Sequence, residues 1–85
     1  LDLTFNQMTA LDATMFTNIP GVTSLYLQYN LIDTIADNTF APLTNLAYLS
    51  LGYNNLASIS AAQFAGLKNL VKLDLSGMKC FFTLI

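Results

Sequence analysis

Hydrophobic and polar positions follow one pattern that returns every 24 residues. Each unit opens on a Leu-x-Leu pair, carries Asn at its sixth position and ends in a stretch where apolar residues recur every three positions. The opening leucines of the copies are Leu1, Leu25, Leu49 and Leu73. In the first three copies, all seven apolar positions of the unit hold apolar residues. A chance pattern would not keep that register, so the chain is built from repeats.

The spacing within each unit predicts its local structure. The alternation in Leu-x-Leu predicts a short strand with both leucines on one face. The Asn and the small or polar residues after it predict a turn. The Phe-x-x-Leu-x-x-Leu spacing of the second half favours a 3₁₀ turn, a short helix or a loose coil. About twenty residues join successive strands, so the strands should be parallel and joined by right-handed crossovers.

A strand repeated at this period buries its leucines only against the next copy, which predicts a solenoid. We therefore expect residues 1–85 to form a single α/β domain, a right-handed solenoid of short parallel strands. The strands should line the concave face and the Phe segments the convex face, if those segments are wider than the strand spacing. The predicted repeats are 1–24, 25–48, 49–72 and a partial or irregular 73–85.

The unit L-x-L-x-x-N-x-[MIL]-x-x-[LI]-x-x-x-x-F-x-x-[IL]-x-x-[VL]-x-x resembles the 24-residue leucine-rich repeat of extracellular and cell-surface receptors. The resemblance runs from Leu1 to Leu75. It implies a non-catalytic recognition module that binds a partner on its concave face, and an extracellular or cell-surface location. The same scaffold carries many unrelated partners, so the resemblance implies no particular ligand.

Two rows of aligned residues are expected to hold the repeats together. A buried amide is costly unless it is hydrogen-bonded, and amides stacked one repeat apart could bond the turns of their own and the neighbouring copy. A polar binding row is the alternative interpretation of the Asn residues. The Phe side chains should stack as a spine under the convex side. The members are Asn6, Asn30 and Asn54 in one row and Phe16, Phe40 and Phe64 in the other.

The outward positions of the strands carry a set of aromatic residues, which we regard as the candidate binding surface. Aromatic side chains with a polar group are favoured at protein interfaces, and they also form platforms for sugars. A ladder that stabilises neighbouring strands explains them equally well, and the two interpretations are compatible. Ser50 and Gly52 are expected to face outward on the same strands. The candidate binding residues are Phe5, Tyr26, Tyr29, Tyr48 and Tyr53.

Composition argues against several classes of function. Charged residues make up 9% of the chain, its net charge is −2, and it contains no Arg and no His. Nucleic acids and anionic membranes need a basic cluster, which is absent. Without His, the usual catalytic triads cannot form, so we expect no enzyme. No Asp set repeats in register and no glycine-rich phosphate loop occurs, so neither a metal nor another cofactor is expected. No apolar run approaches the ~20 residues of a membrane span.

The fourth copy departs from the pattern, because Met78 stands where Asn is expected and Thr83 where Ile or Leu is expected. Cys80 is the sole cysteine, which allows no internal disulfide, and it aligns with Leu56 as a buried small hydrophobic residue. The array is either ending there or irregular. A second hypothesis follows: a self-assembling structural element that forms homo-oligomers by end-to-end stacking of terminal strands, favoured by the low charge. The sequence is thus interpreted either as a fragment of three and a half repeats from a longer protein or as a complete assembling unit.

Overall fold

The computed structural model describes residues 1–78 and the backbone of residues 81–83. Its strands are two or three residues long, and 3₁₀ helices cover Ala13–Met15 and Ala61–Phe64. No helix in these residues is long and apolar enough to cross a membrane. The strands are β1 (Ala10–Leu11), β2 (Ser24–Tyr26), β3 (Thr34–Ile35), β4 (Tyr48–Ser50), β5 (Ser58–Ser60), β6 (Lys72–Asp74) and β7 (Phe81–Thr83).

The Leu-x-Leu segments form the main sheet, in which β2, β4 and β6 are parallel neighbours. Their register is 24 residues, with Leu25 opposite Leu49 and Leu49 opposite Leu73. The opening segment of the chain extends the sheet through a parallel bridge between Asp2 and Tyr26. The prediction of short parallel strands is therefore confirmed.

The core consists of the aligned apolar positions of the repeats. Leu25 in β2 and Leu49 in β4 are fully buried, and so are Leu27 and Leu51, each two positions further along the chain. The repeats before and after cover these side chains on both sides. The leucines of the fourth unit, Leu73 and Leu75, are only partly buried. The buried apolar residues are Leu11, Phe16, Leu25, Leu27, Ile32, Ile35, Phe40, Leu43, Leu46, Leu49, Leu51, Leu56 and Ile59.

A second row of strands follows each turn, and the sequence did not predict it. These strands form two separate two-stranded parallel sheets, β1 with β3 and β5 with β7. Strands β1, β3 and β5 each place one buried residue of the core row, such as Leu11 or Ile59, next to an exposed one. The segments are too short for alternation of period two to stand out in the sequence.

Side chains also bridge neighbouring repeats, both beside the paired strands β1 and β3 and where β3 and β5 are not paired. Gln63 donates from Nε2 to the Ile35 carbonyl at 3.1 Å and accepts from the Ser60 N–H at 2.9 Å. One repeat earlier, the Thr39 hydroxyl donates to the Leu11 carbonyl at 3.3 Å. Both residues therefore satisfy carbonyl groups of the preceding repeat, as backbone pairing would.

The segment that joins the main sheet to the second row of strands is one residue shorter in the fourth unit than in the third. Phe82 lies opposite Ile59, 23 residues away instead of 24, and Thr83 lies opposite Ser60. The prediction that Thr83 occupies the Ile59 row is therefore wrong. The missing residue falls after Gly77, because up to that point the backbone keeps the 24-residue register with Tyr53. Cys80 lies outside the described residues, so its predicted place stays a prediction.

Candidate functional site

Three aromatic side chains at the fifth position of successive repeats stack into a column. The ring centroids of Phe5 and Tyr29 are 4.7 Å apart with planes 3° from parallel, and those of Tyr29 and Tyr53 are 4.7 Å apart at 6°. This separation equals the spacing of neighbouring strands, so the backbone pairing sets it. Phe5, Tyr29 and Tyr53 are called the aromatic column below.

Every member of the aromatic column has a left-handed backbone. Their φ angles are +55°, +59° and +56° in chain order, and Gly77 continues the row at +72°. Bulky residues are uncommon there, at a cost of about 1–2 kcal/mol each. A Cβ atom at Gly77 would overlap the Tyr53 ring. Gly77 therefore ends the column, since it has no ring to stack and the Tyr53 ring occupies the space of its missing side chain.

Stacking determines which parts of the aromatic column meet solvent. Phe5, Tyr29 and Tyr53 are 76%, 45% and 51% exposed. Both faces of the Tyr29 ring are covered by its neighbours, so its edge and hydroxyl are the exposed parts. Offset or parallel stacking of this kind stabilises each pair by about 0.5–1.5 kcal/mol, which offsets much of the backbone cost.

A second aromatic pair lies at the other end of the main-sheet strands. The ring centroids of Tyr26 and Tyr48 are 5.4 Å apart and the planes are tilted by 46°. The Lys72 ammonium lies 5.5 Å from the centroid of the Tyr48 ring, within the range of a cation–π interaction. Both tyrosines are partly buried. The predicted binding residues therefore form two groups, the aromatic column and this pair.

Ser50 and Gly52, which were predicted to face outward, are not accessible to a partner. Ser50 is 1% exposed, and Gly52 is buried as well. Ser50 is opposite Tyr26 on one side and Asp74 on the other, and a small side chain between two larger ones is covered by them. A Cβ atom at Gly52 would lie 3.0 Å from the Ser76 carbonyl oxygen, so the backbones approach closely there. Outward direction alone does not make a strand residue accessible.

Two carboxylates, those of Asp2 and Asp74, lie at the outward positions of the main sheet, one at each edge. The Asp2 carboxylate accepts from the Thr4 N–H at 2.9 Å and the Thr4 hydroxyl at 2.7 Å. The Asp74 carboxylate accepts from the N–H and hydroxyl of Ser76. The bond from the Thr4 backbone is the main cause that lowers the pKa of Asp2, and the Ser76 hydroxyl is the main cause that lowers the pKa of Asp74.

These two carboxylates should make the fold less stable in acid. A folded-state pKa below the unfolded one contributes stability that is present above the unfolded pKa of about 4 and is lost as the pH falls through the folded value. We expect the urea midpoint to be lower at pH 3 than at pH 7. In the double variant Asp2→Asn/Asp74→Asn the drop should shrink. An undiminished drop would show that other groups cause the acid sensitivity.

The Asn side chains of the second and third repeats lie buried between turns. Asn54 donates from Nδ2 to the carbonyls of Leu27 at 3.0 Å and Leu51 at 2.9 Å, and its Oδ1 accepts from the Ile32 N–H at 3.0 Å. Leu27 and Ile32 belong to the preceding repeat. The amide donors are therefore used within the protein, which leaves the interpretation as a polar binding row without support.

Asn30 repeats this arrangement and Asn6 does not. Asn30 donates to the Leu3 carbonyl at 2.9 Å and accepts from the Met8 N–H at 3.2 Å, both in the preceding repeat. Asn6 is exposed and donates to carbonyls of its own repeat, those of Leu3 at 2.9 Å and Thr4 at 3.3 Å. The expectation that all three are buried is therefore wrong for Asn6, which lies in the first repeat of this chain.

The Phe row lies on the other side of the core, away from the candidate surface. The ring centroids of Phe16 and Phe40 are 5.8 Å apart, and those of Phe40 and Phe64 are 5.7 Å apart. Phe16 and Phe40 are buried and Phe64 is partly buried. These rings pack against each other and against the core, which agrees with the predicted structural role.

Within residues 1–78 and 81–83, no three His, Cys, Asp or Glu side chains come together as a metal site would require. A family model described as "Leucine rich repeat" matches residues 1–56 and again residues 20–78. Together the two matches span the whole region in which the structure describes side chains. A comparison with curated proteins gives no match.

Proposed function

Because the chain belongs to the leucine-rich-repeat family, whose domains commonly mediate protein binding, we propose that it is a recognition module for a protein partner. Such repeats are typically non-enzymatic. The observation that carries the proposal is the exposed aromatic column on the outward side of the main sheet. Tyr is one of the residue types enriched among those that dominate the free energy of protein interfaces.

The geometry of the rings favours a protein partner over a glycan. Sugars bind aromatic residues through an open ring face, but in the aromatic column neighbouring rings cover both faces of Tyr29. The Lys72 ammonium lies over one face of the Tyr48 ring. Apart from the outer face of Phe5, what remains is a row of ring edges and tyrosine hydroxyl groups, which can donate, accept and pack against peptide groups.

The proposal has three further parts. We propose a right-handed solenoid in which the outward side of the main sheet is the concave face. The wider spacing on the opposite side supports this, since the Phe rings there are 5.8 and 5.7 Å apart and the rings of the aromatic column 4.7 Å. The partner contacts that concave face. The location is extracellular or at the cell surface, which rests on the type of repeat alone. End-to-end stacking stays a prediction.

The test removes the two tyrosines of the aromatic column together. In Tyr29→Asn/Tyr53→Asn, Asn tolerates the left-handed backbone, so circular dichroism should be unchanged. Binders selected from a displayed peptide library on the wild-type chain should lose about 30-fold or more in affinity for the variant, the effect of losing ~2 kcal/mol at a hot spot. Biolayer interferometry measures it.

The matched control is Met15→Ser. Met15 is exposed like the two tyrosines but lies on a 3₁₀ helix, outside the main sheet. Binders should keep their wild-type affinity for this variant. Equal affinity for the double tyrosine variant and for the wild type would count against the proposed surface, and so would a larger loss in the control.

A further inference from the structure

We propose that Tyr29 and Tyr53 are an oxidative modification site, at which one-electron oxidation joins their rings in an intramolecular dityrosine cross-link. The link would connect the second repeat to the third through a carbon–carbon bond. The proposal is independent of the proposed binding function, since it concerns the chemistry of the two rings and requires no partner.

The stacked rings are already placed for coupling. Their centroids are 4.7 Å apart and their planes are within 6° of parallel. The two residues have nearly the same φ and are related by one repeat, so the ring carbons ortho to each hydroxyl face their equivalents at about the same separation. The backbone holds this arrangement, because the Tyr29 N–H donates to the Gly52 carbonyl at 3.1 Å and the Tyr53 N–H to the Ser76 carbonyl at 2.9 Å.

The reaction needs an oxidant that the proposal names by class: hydrogen peroxide with a haem peroxidase. Each tyrosine loses one electron and its phenolic proton, and the two electrons and two protons reduce the peroxide to two molecules of water. The two phenoxyl radicals then couple through their ortho carbons. Each joined carbon loses its hydrogen as a proton while each oxygen regains one, which restores both aromatic rings. The chain loses two hydrogen atoms in total.

Solvent access and surroundings favour this pair over the other tyrosine pair. Tyr29 and Tyr53 are 45% and 51% exposed, so an oxidant can reach their hydroxyl-bearing edges. Tyr26 and Tyr48 are partly buried, and their planes are tilted by 46°, which reduces overlap between facing ring carbons. The Lys72 ammonium beside the Tyr48 ring opposes the removal of an electron from it.

Proximity also favours a link within one chain over a link between chains. Groups held together in one molecule react as though at concentrations of about millimolar or above. At ~10 µM chain, the intramolecular product should therefore exceed the intermolecular one by about 100-fold.

The experiment treats the whole folded chain, with the Cys80 thiol blocked beforehand, with peroxidase and less than one equivalent of peroxide. The expected product is a monomer on denaturing gels that shows dityrosine fluorescence and has lost the mass of two hydrogen atoms. Proteolysis and mass spectrometry should identify a cross-linked peptide pair containing Tyr29 and Tyr53. A product dominated by dimers, or by links to Tyr26 or Tyr48, would overturn the proposal.

Matched variants separate this chemistry from an effect on folding. Tyr53→Phe keeps the ring and its stacking but should reduce the monomer cross-link at least about tenfold, because Phe has no phenolic hydrogen to lose. Tyr26→Phe should leave it unchanged. Phe5→Tyr extends the reactive row by one ring and should add a second link, between residues 5 and 29. Wild-type yield in Tyr53→Phe, or the absence of the second link in Phe5→Tyr, would contradict the assignment.

Discussion

Replacement of Phe40 by alanine should lower the free energy of unfolding by about 3–5 kcal/mol. The side chain is fully buried, and its ring stacks on Phe16 from the preceding repeat and on Phe64 from the following one. The cavity would open between three repeats rather than at an end, so the structure has little freedom to collapse into it. Small domains are stable by only about 5–10 kcal/mol, so the variant should be close to unfolding.

Urea unfolding followed by circular dichroism measures this loss, and two variants calibrate it. Phe40→Leu keeps an apolar side chain in the space and should cost markedly less than alanine. Phe64→Ala removes a partly buried ring that stacks on one described neighbour, so its loss should be about half that of Phe40→Ala. Equal losses at the two Phe positions would show that the position within the row does not matter.

The sequence predicted the main sheet and the buried rows because successive repeats are related by a translation. Residues 24 apart therefore become spatial neighbours, and an alignment of copies is already a list of contacts. Leu25 lies opposite Leu49 for this reason, and Phe16 stacks on Phe40. The same argument fails where the period changes, which is why Phe82 rather than Thr83 lies opposite Ile59.

The sequence did not predict the side-chain hydrogen bonds between repeats, because the aligned positions that form them hold different residue types. Met15, Thr39 and Gln63 share a position, but only the last two have a donor that reaches the preceding repeat. Asn45 and Asn69 likewise donate to the Pro20 and Thr44 carbonyls, at 3.4 and 2.7 Å, while the same position in the first repeat is Gly21, which has no donor side chain. Alignment of apolar positions cannot reveal a row whose members share a hydrogen-bonding role rather than a side chain.

The sequence identified the aromatic residues of the candidate site but not the way they stack. Stacking depends on a left-handed backbone at the fifth position, and neither Tyr nor Phe predicts that conformation. The signal was Gly77, which occupies the same row and adopts positive φ readily. If Gly77 is interpreted as a sign that the whole row has a left-handed backbone, stacked rings with covered faces are expected, and the prediction of a platform for sugars loses its basis.

Replacement of Asn54 by alanine should cost about 3–5 kcal/mol, although it removes no apolar contact of the core. The side chain is the partner of one buried N–H, that of Ile32, and of carbonyls that include Leu27 and Leu51. Each buried group left without a partner costs about 1–3 kcal/mol, and the three groups together reach the expected loss even if a water replaces one of the bonds. Asn6→Ala is the control, since that exposed amide bonds its own repeat only, and it should cost less than ~1 kcal/mol.

Asn54→Asp separates the loss of hydrogen bonds from the loss of the side chain itself. A carboxylate can still accept from the Ile32 N–H, but it would face the Leu27 and Leu51 carbonyls, which need a donor. Burial against those oxygens disfavours the charged form, so the folded-state pKa of the new carboxyl should lie above its unfolded value of about 4. Protonation then favours the folded state. The cost of the substitution should therefore grow as the pH rises from the unfolded pKa through the higher folded-state pKa, and it should be smallest in acid. The wild-type carboxylates act in the opposite direction, since the pKa values of Asp2 and Asp74 are lowered. A variant whose deficit relative to wild type is the same at pH 3 and pH 7 would show that the amide acts through its shape and not through the donors of Nδ2.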